Sequence, residues 1–237
     1  MVKVSLKIVF LLMCSTLSAC TKQPVPETGT LQIFTENTVS TSEKRPVDYV
    51  WPWQDSENSR WFFFNTATRP FGLVNLSPDT ELDGAWGSGY RYNTLEIKGF
   101  NHVHAWQLSG LSVMPVSTNL SLNDIYNDYY SPFNHDTEIV KAGYHKVILD
   151  RYNIEVELTS TARVGFHRYH YENTQDRKIL LDLQGKFGPT DITKGNFKQL
   201  SETEFNGFII NEPTIRRPRP TPIYFHISLN SAVSKVE

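Results

Sequence analysis

The most constraining feature of this chain is a period-two alternation near its C-terminal end. Ile223, Phe225, Ile227 and Leu229 alternate with Tyr224, His226 and Ser228. Successive side chains of an extended strand point to opposite faces, so this pattern sets an apolar face against a polar one and argues against an amphipathic helix. The rhythm recurs where Ile154, Val156 and Leu158 alternate with Glu155 and Glu157. Val164 and Phe166 likewise alternate with Arg163, Gly165 and His167, and Ile179–Leu183 is a short apolar strand. Phe205-Asn206-Gly207-Phe208 predicts a hairpin, because Asn-Gly favours the turn whose twist matches its flanking strands. Thirteen Gly and thirteen Pro, spread along the chain, break up long helices; only Leu122–Tyr130 reads as helical. Many short strands between turn signals predict an all-β antiparallel sandwich over residues 46–237. That span, about 190 residues, supports one sizeable core.

The N-terminal residues follow a different logic. Lys3 and Lys7 precede an apolar run, Ile8–Met13, too short to span a bilayer as a permanent helix. Leu17-Ser18-Ala19-Cys20 then reads as a bacterial lipobox, with cleavage before Cys20 and lipidation of its thiol; an ordinary signal peptide with a chance cysteine is the alternative. Residues 1–19 are therefore expected to be a lipoprotein signal peptide. Residues 20–45, polar and rich in Thr, Ser, Pro and Glu, are expected to be a flexible tether, with Leu31, Ile33 and Phe34 a possible short strand. The expected location is the cell envelope, lipid-anchored, with Thr21 after the cysteine pointing to the outer membrane. The two cysteines, Cys14 and Cys20, leave no free thiol and no disulfide in the mature body. Without Lys3 and Lys7 the 23 basic residues become 21, against 25 acidic ones. This mildly acidic balance argues against a nucleic-acid partner or an anionic membrane surface.

The richest stretch is Gly87–Pro115, GSGYRYNTLEIKGFNHVHAWQLSGLSVMP. Its rings stack on the apolar face of a sugar in one reading, with their polar edges binding hydroxyls; in the other they are core residues of a glycine-punctuated strand pair. Candidate sugar-binding residues are Ser88, Gly89, Tyr90, Tyr92, His102, His104 and Trp106. Trp51, Trp53 and Trp61, with Phe62–Phe64, are core residues or an aromatic rim. His102 and His104, two apart on a strand, share a face; zinc would require a third or fourth ligand, which His135-Asp136 supplies only if the fold brings it near. Asn134, Asp136 and Glu138 offer a few oxygens, short of the six to eight that calcium takes. No metal site is expected. Asp79 and Asp83 read as turn aspartates or as candidate carboxylates. Arg163, His167, Tyr169 and Tyr171 read as one face of a strand with a polar outer side, or as a docking surface. Arg216-Arg217-Pro218-Arg219-Pro220 reads as a stiff solvated loop.

SGYRY followed by IKGFNHVHAWQLSGLSVMP resembles the glycoside hydrolase family 92 pattern. VDYV (47–50), RPFGLVNLSPDT (69–80), YYSPFNHDTE (129–138), AGYHKVIL (142–149) and VELTSTARVGFHRYHY (156–171) resemble further motifs of that family in the same order. The resemblance spans about residues 46–229. It implies an N-terminal, galactose-mutarotase-like β-sandwich and a C-terminal (α/α)6 barrel that together hydrolyse terminal α-mannosides with inversion. Calcium is implied for the complete enzyme, held mainly by the barrel. The acid and base are implied to lie in the barrel, so no catalytic residue is expected within these residues. The chain is expected to end where the sandwich ends, with the barrel as a missing partner. Asp136 and Glu138 are too closely spaced for an inverting pair, which stands roughly 6.5–9.5 Å apart. Three readings remain: the N-terminal part of an α-mannosidase acting on glycans, a free-standing carbohydrate-binding surface lipoprotein, or a docking domain for a separately encoded barrel.

Overall fold

The computed structural model describes residues 43–57, 66–83, 89–105, 107–108, 110–117, 128–172, 177–185, 188 and 190–237, together with the backbone pairing of 9–14. The strands in chain order are β1 (Val9–Cys14), β2 (Ser77–Asp79), β3 (Glu96–Ile97), β4 (Gly99–Asn101), β5 (Ser112–Val116), β6 (Ser131–Pro132), β7 (Ile139–Lys141) and β8 (Tyr144–Leu149). They continue as β9 (Ile154–Ser160), β10 (Gly165–Tyr171), β11 (Lys178–Asp182), β12 (Ile192–Gln199), β13 (Glu204–Asn211), β14 (Thr221–Ser228) and β15 (Val233–Val236). Helical content among the described residues is two 3-10 turns, Pro46–Tyr49 and His135–Thr137. The fold is all-β and every strand pairing is antiparallel, as the alternation predicted.

Three sheets stack with two apolar clusters between them. A six-stranded sheet, ordered β15-β1-β11-β5-β4-β2, lies in the middle. In register, Leu180 pairs with Met114 and Leu181 with Val113. Leu180 and Met114 join one cluster with Val147, Leu149, Ile154, Val156 and Leu158 of the four-stranded sheet β10-β9-β8-β7. Leu181 and Val113 join the other with Phe205 and Ile209 of the three-stranded sheet β12-β13-β14. A sheet buried on both faces needs apolar residues at both parities, which explains the consecutive Ile179, Leu180 and Leu181. The outer sheets have one wet face and keep the alternation; Ile223, Phe225 and Ile227 pack on the second cluster.

Two local expectations fail. Phe205–Phe208 is not a turn but the interior of β13, paired with β12 and β14 on either side. A Cβ on Gly207 would stand 2.0 Å from the Asn196 carbonyl and 2.5 Å from the Phe225 ring, so the glycine answers to close strand approach. The turn lies just before, where Leu200 N–H donates to the Glu204 carbonyl at 2.8 Å. On β10 the parity is the reverse of the apolar one: Phe166 is exposed while His167, Tyr169 and Tyr171 face inward. Of the Leu122–Tyr130 helix only 128–130 fall among the described residues, where no helix is present; the Leu31–Phe34 strand, Trp61 and Phe62–Phe64 lie outside them. The segment read as a leader contributes β1, between β11 and β15.

Candidate functional site

Pairing of β2 with β4 places Asp79 beside Gly99 and Ser77 beside Asn101. Asp79 is fully buried, in a strand rather than a turn. Its carboxylate accepts from His104 Nε2 at 2.7 Å and from the Asn101 side-chain amide. His104 Nδ1 donates to the Asn75 carbonyl at 2.6 Å. Both ring nitrogens thus face acceptors. Burial works against the charged ring, yet Asp79 and the Asn75 carbonyl outweigh it, and the His104 pKa is raised. His102, two residues away, instead meets His167 of β10, Nε2 to Nε2 at 2.9 Å, and His167 Nδ1 contacts the Tyr169 hydroxyl at 2.8 Å. Burial, reinforced by the charge on His104, lowers His102 to about 4. Burial, and then the neighbouring His102, push His167 well below its ordinary value.

A second polar centre forms around Glu138. One carboxylate oxygen accepts from the Tyr90 hydroxyl at 3.0 Å and from His135 Nδ1 at 2.6 Å. The other lies 2.9 Å from His145 Nε2, and His145 Nδ1 meets the Thr66 hydroxyl at 2.7 Å. Burial pushes the Glu138 carboxyl upward, but the two histidines overcome it and hold its pKa below the usual value. The same burial, with the Glu138 charge alongside, drives the Tyr90 hydroxyl far above its ordinary range.

This buried centre supports an exposed ring. His135 stacks on Tyr92 with centroids 4.0 Å apart and planes at 6°, and His135 Nε2 donates to the Tyr92 carbonyl at 2.8 Å. Trp53 meets Tyr92 edge-on at 6.5 Å, and the Tyr92 N–H donates to the Ser56 carbonyl. Tyr92 is 38% exposed, and Tyr49 and Trp51, from the segment that also carries Trp53, are exposed as well. A flat ring braced by a stacked imidazole and partly exposed to solvent is suited to stacking on a sugar face.

A third anchor is Arg217. Its guanidinium donates from Nε to the Gln107 carbonyl at 2.6 Å, with Nη2 on the same oxygen, while Nη1 reaches Thr221 Oγ1 at 2.8 Å. Gln107 holds a left-handed backbone, φ 56°, and its Oε1 accepts the Arg216 N–H. Burial lowers the Arg217 pKa. The basic loop is therefore not simply solvated: one arginine clamps the turn formed by the Ala105–Leu108 bridge.

The candidate residues sort by depth. Tyr92 is exposed; Tyr90 and His104 are buried at 2% and 3% exposure; His102 is enclosed against His167. Gly89 bridges Glu81. Ser88 and Trp106 lie outside the described residues. His102 and His104 do not share one partner set, and His135 belongs to the Glu138 centre. Among the described residues no group of three or more His, Cys, Asp or Glu side chains is arranged to hold a metal ion, the Glu138 centre with its two histidines included. Asn134 Oδ1 accepts the Asp136 N–H, and both Glu138 oxygens face histidines, so this segment makes no calcium cradle. Asp136 is exposed and Glu138 buried, which removes them as an acid–base pair. Sequence reasoning missed Glu138, His145, Asp79 and Arg217 as organising groups. A glutamate at the edge of an apolar strand, in HDTEIV, was the available signal for the first.

The comparisons agree with this architecture. The model of the glycosyl hydrolase family 92 N-terminal domain matches residues 49–237. The solved α-mannosidase BT3965 of family GH92 from Bacteroides thetaiotaomicron superposes with a TM-score of 0.71 at 23% identity, covering 81% of this chain and 27% of that one. Its complex with mannoimidazole gives 0.69 at 23% identity, over 79% and 26% of the two chains. The inverting mannosidase BT2199 of family GH92, from Bacteroides thetaiotaomicron VPI-5482, gives 0.57 at 15% identity, over 81% and 31%. No curated protein matches the chain. The chain spans about a quarter of the length of the BT3965 enzyme. With the family match running unbroken through all three polar centres, this chain belongs to glycosyl hydrolase family 92 and carries its N-terminal domain.

Proposed function

We propose that this domain is the carbohydrate-binding wall of an α-mannosidase, presenting Tyr92 to a terminal mannoside. The observation that carries the reading is the Tyr92–His135 stack, a partly exposed ring braced by a buried centre around Glu138. Tyr90 stands behind that ring through Glu138 and His135 as a positioning residue; Ser88, Gly89, His102, His104 and Trp106 stay in the reading as candidate sugar-binding residues of the same aromatic stretch. Hydrolysis of terminal α-mannosides from glycans belongs to the complete enzyme. Its acid, its base and its calcium are read as belonging to the catalytic barrel, as the family resemblance implies, and Asp79 and Glu138 are held here by structural partners. Lipidation of Cys20 would hold the domain at the cell envelope, at the outer membrane. Titration of methyl α-mannoside into the protein tests the binding role: weak saturable binding that Tyr92→Ala weakens supports it, and unchanged affinity in that variant refutes it.

The free-standing lipoprotein and the docking domain for a separate barrel remain alternative readings of this domain. Exposed Phe71 and Leu73, beside the 160–165 turn that carries exposed Val164, favour a docked partner.

A further inference from the structure

The solvent-facing parity of the three-stranded sheet carries a surface that the Tyr92 site does not use. Phe205 and Ile209 face the second cluster, so Asn196, Phe208 and Tyr224 stand in one row on the opposite face, across all three strands. Neighbouring rows of that face add Lys194 on one side and Lys198, Asn206 and His226 on the other. Tyr224 is 76% exposed, and its ring leans on Phe208 with centroids 6.0 Å apart. Lys194 Nζ stands 5.8 Å from the Phe208 centroid. We propose that this face is a second glycan-binding surface, and that it takes anionic glycans, sugar chains bearing carboxylate, sulfate or phosphate groups.

Ring chemistry and charge both select that occupant. A supported, exposed aromatic ring stacks on the apolar face of a pyranose. The side-chain amides of Asn196 and Asn206 each offer donors and an acceptor to its hydroxyls. The charge is one-sided: β12, β13 and β14 hold Lys194 and Lys198 against a single acid, Glu204, which lies at the turn end opposite Ser228. Among the described residues neither lysine has an ion-pair partner. Four residues of strand set their Cα atoms about 13 Å apart. Charges repeated along a chain can meet both lysines, and one small anion cannot. An anionic chain gains charge-assisted contacts there, whereas a neutral one leaves both cations unanswered. The central sheet and both clusters separate this face from the Tyr92 site, whose supporting Tyr90 belongs to the first cluster. Binding here therefore stands or falls apart from the mannoside reading.

Calorimetric titration of the full chain with hexagalacturonate and with dextran sulfate tests this surface. At least one should bind saturably, and at least tenfold more tightly than its neutral counterpart, the carboxyl-reduced hexamer or plain dextran. Polyglutamate, which carries the charge without the sugar ring, should bind at least tenfold more weakly as well. Tyr224→Ala, and separately Lys194→Ala with Lys198→Ala, should each weaken anionic-glycan binding at least fivefold. Tyr224→Phe keeps the ring and should retain it. These side chains are exposed, so an unchanged circular dichroism spectrum certifies each fold. No binding of either anionic glycan overturns the proposal, and so does unchanged affinity in Tyr224→Ala or in the double lysine variant. Equal binding of polyglutamate would make the face a dock for an acidic polypeptide, and equal binding of the neutral chains a neutral-sugar surface; either result overturns it too.

Discussion

His102 and His167 face each other with their Nε2 atoms 2.9 Å apart, enclosed between the central and four-stranded sheets. Two imidazolium rings cannot share that distance. Both histidines have folded pKa values below the unfolded value, with His102 at about 4. The unfolded chain therefore binds more protons, and their contribution to stability is complete above roughly pH 6.5. It falls as pH drops towards 4, by about 1.4 kcal/mol per pH unit for each histidine. His104 has the opposite sign: its raised pKa stabilises fully at low pH and fades as pH rises through the folded value. Urea midpoints across pH 4–7 should fall on the acid side in the wild type and fall less steeply in His167→Gln.

Space beside that pair is equally limited. A Cβ on Gly165 would meet His102 Cδ2 at 2.5 Å and Nε2 at 2.8 Å. Because His102 is clamped by His167, it cannot swing away cheaply. Gly165→Ala should cost about 1–3 kcal/mol, the usual range for overpacking. Chemical denaturation checks it.

Glu138 is the charge on which the exposed ring depends. Glu138→Gln leaves His135 and His145 without their carboxylate, and should destabilise the domain by about 3 kcal/mol or more. It should also loosen the Tyr92 stack, so tyrosine fluorescence and thermal midpoint are expected to change together. Near-neutral stability in this variant would show that the histidines do not need the charge.

Arg217→Lys keeps the charge but loses the fork on the Gln107 carbonyl. The expected loss is about 1.5–3 kcal/mol, the range for hydrogen bonds to a charged group. Faster hydrogen exchange at 105–108, with β8–β9 unaffected, would distinguish a local clamp from a global effect.

Much of the architecture was legible because alternation survives where a sheet has one wet face, as at Ile223–Ile227. It failed on β10, where the inward parity is made of His167, Tyr169 and Tyr171, rings that propensity rules count as polar or amphipathic. It failed again at Asn206-Gly207, where a turn signal served close strand approach instead. Motif order drew attention to the stretch that carries Tyr90, Tyr92, His102 and His104, and the fold gives three of these residues, Tyr90, His102 and His104, enclosed polar partners. What motifs did not show was depth. Tyr90 and His104 are separated from solvent by partners drawn from distant segments, Glu138 and Asp79. Such long-range pairing leaves no periodic trace in the chain.

The sugar-binding role of Tyr92 is tested most directly by calorimetric titration of methyl α-mannoside into the wild-type protein and Tyr92→Ala. Weak, saturable binding to the wild type is expected, with a loss of about three- to tenfold or more in the variant, the worth of one aromatic contact. Equal affinity in the two proteins, or no binding to the wild type, would contradict it.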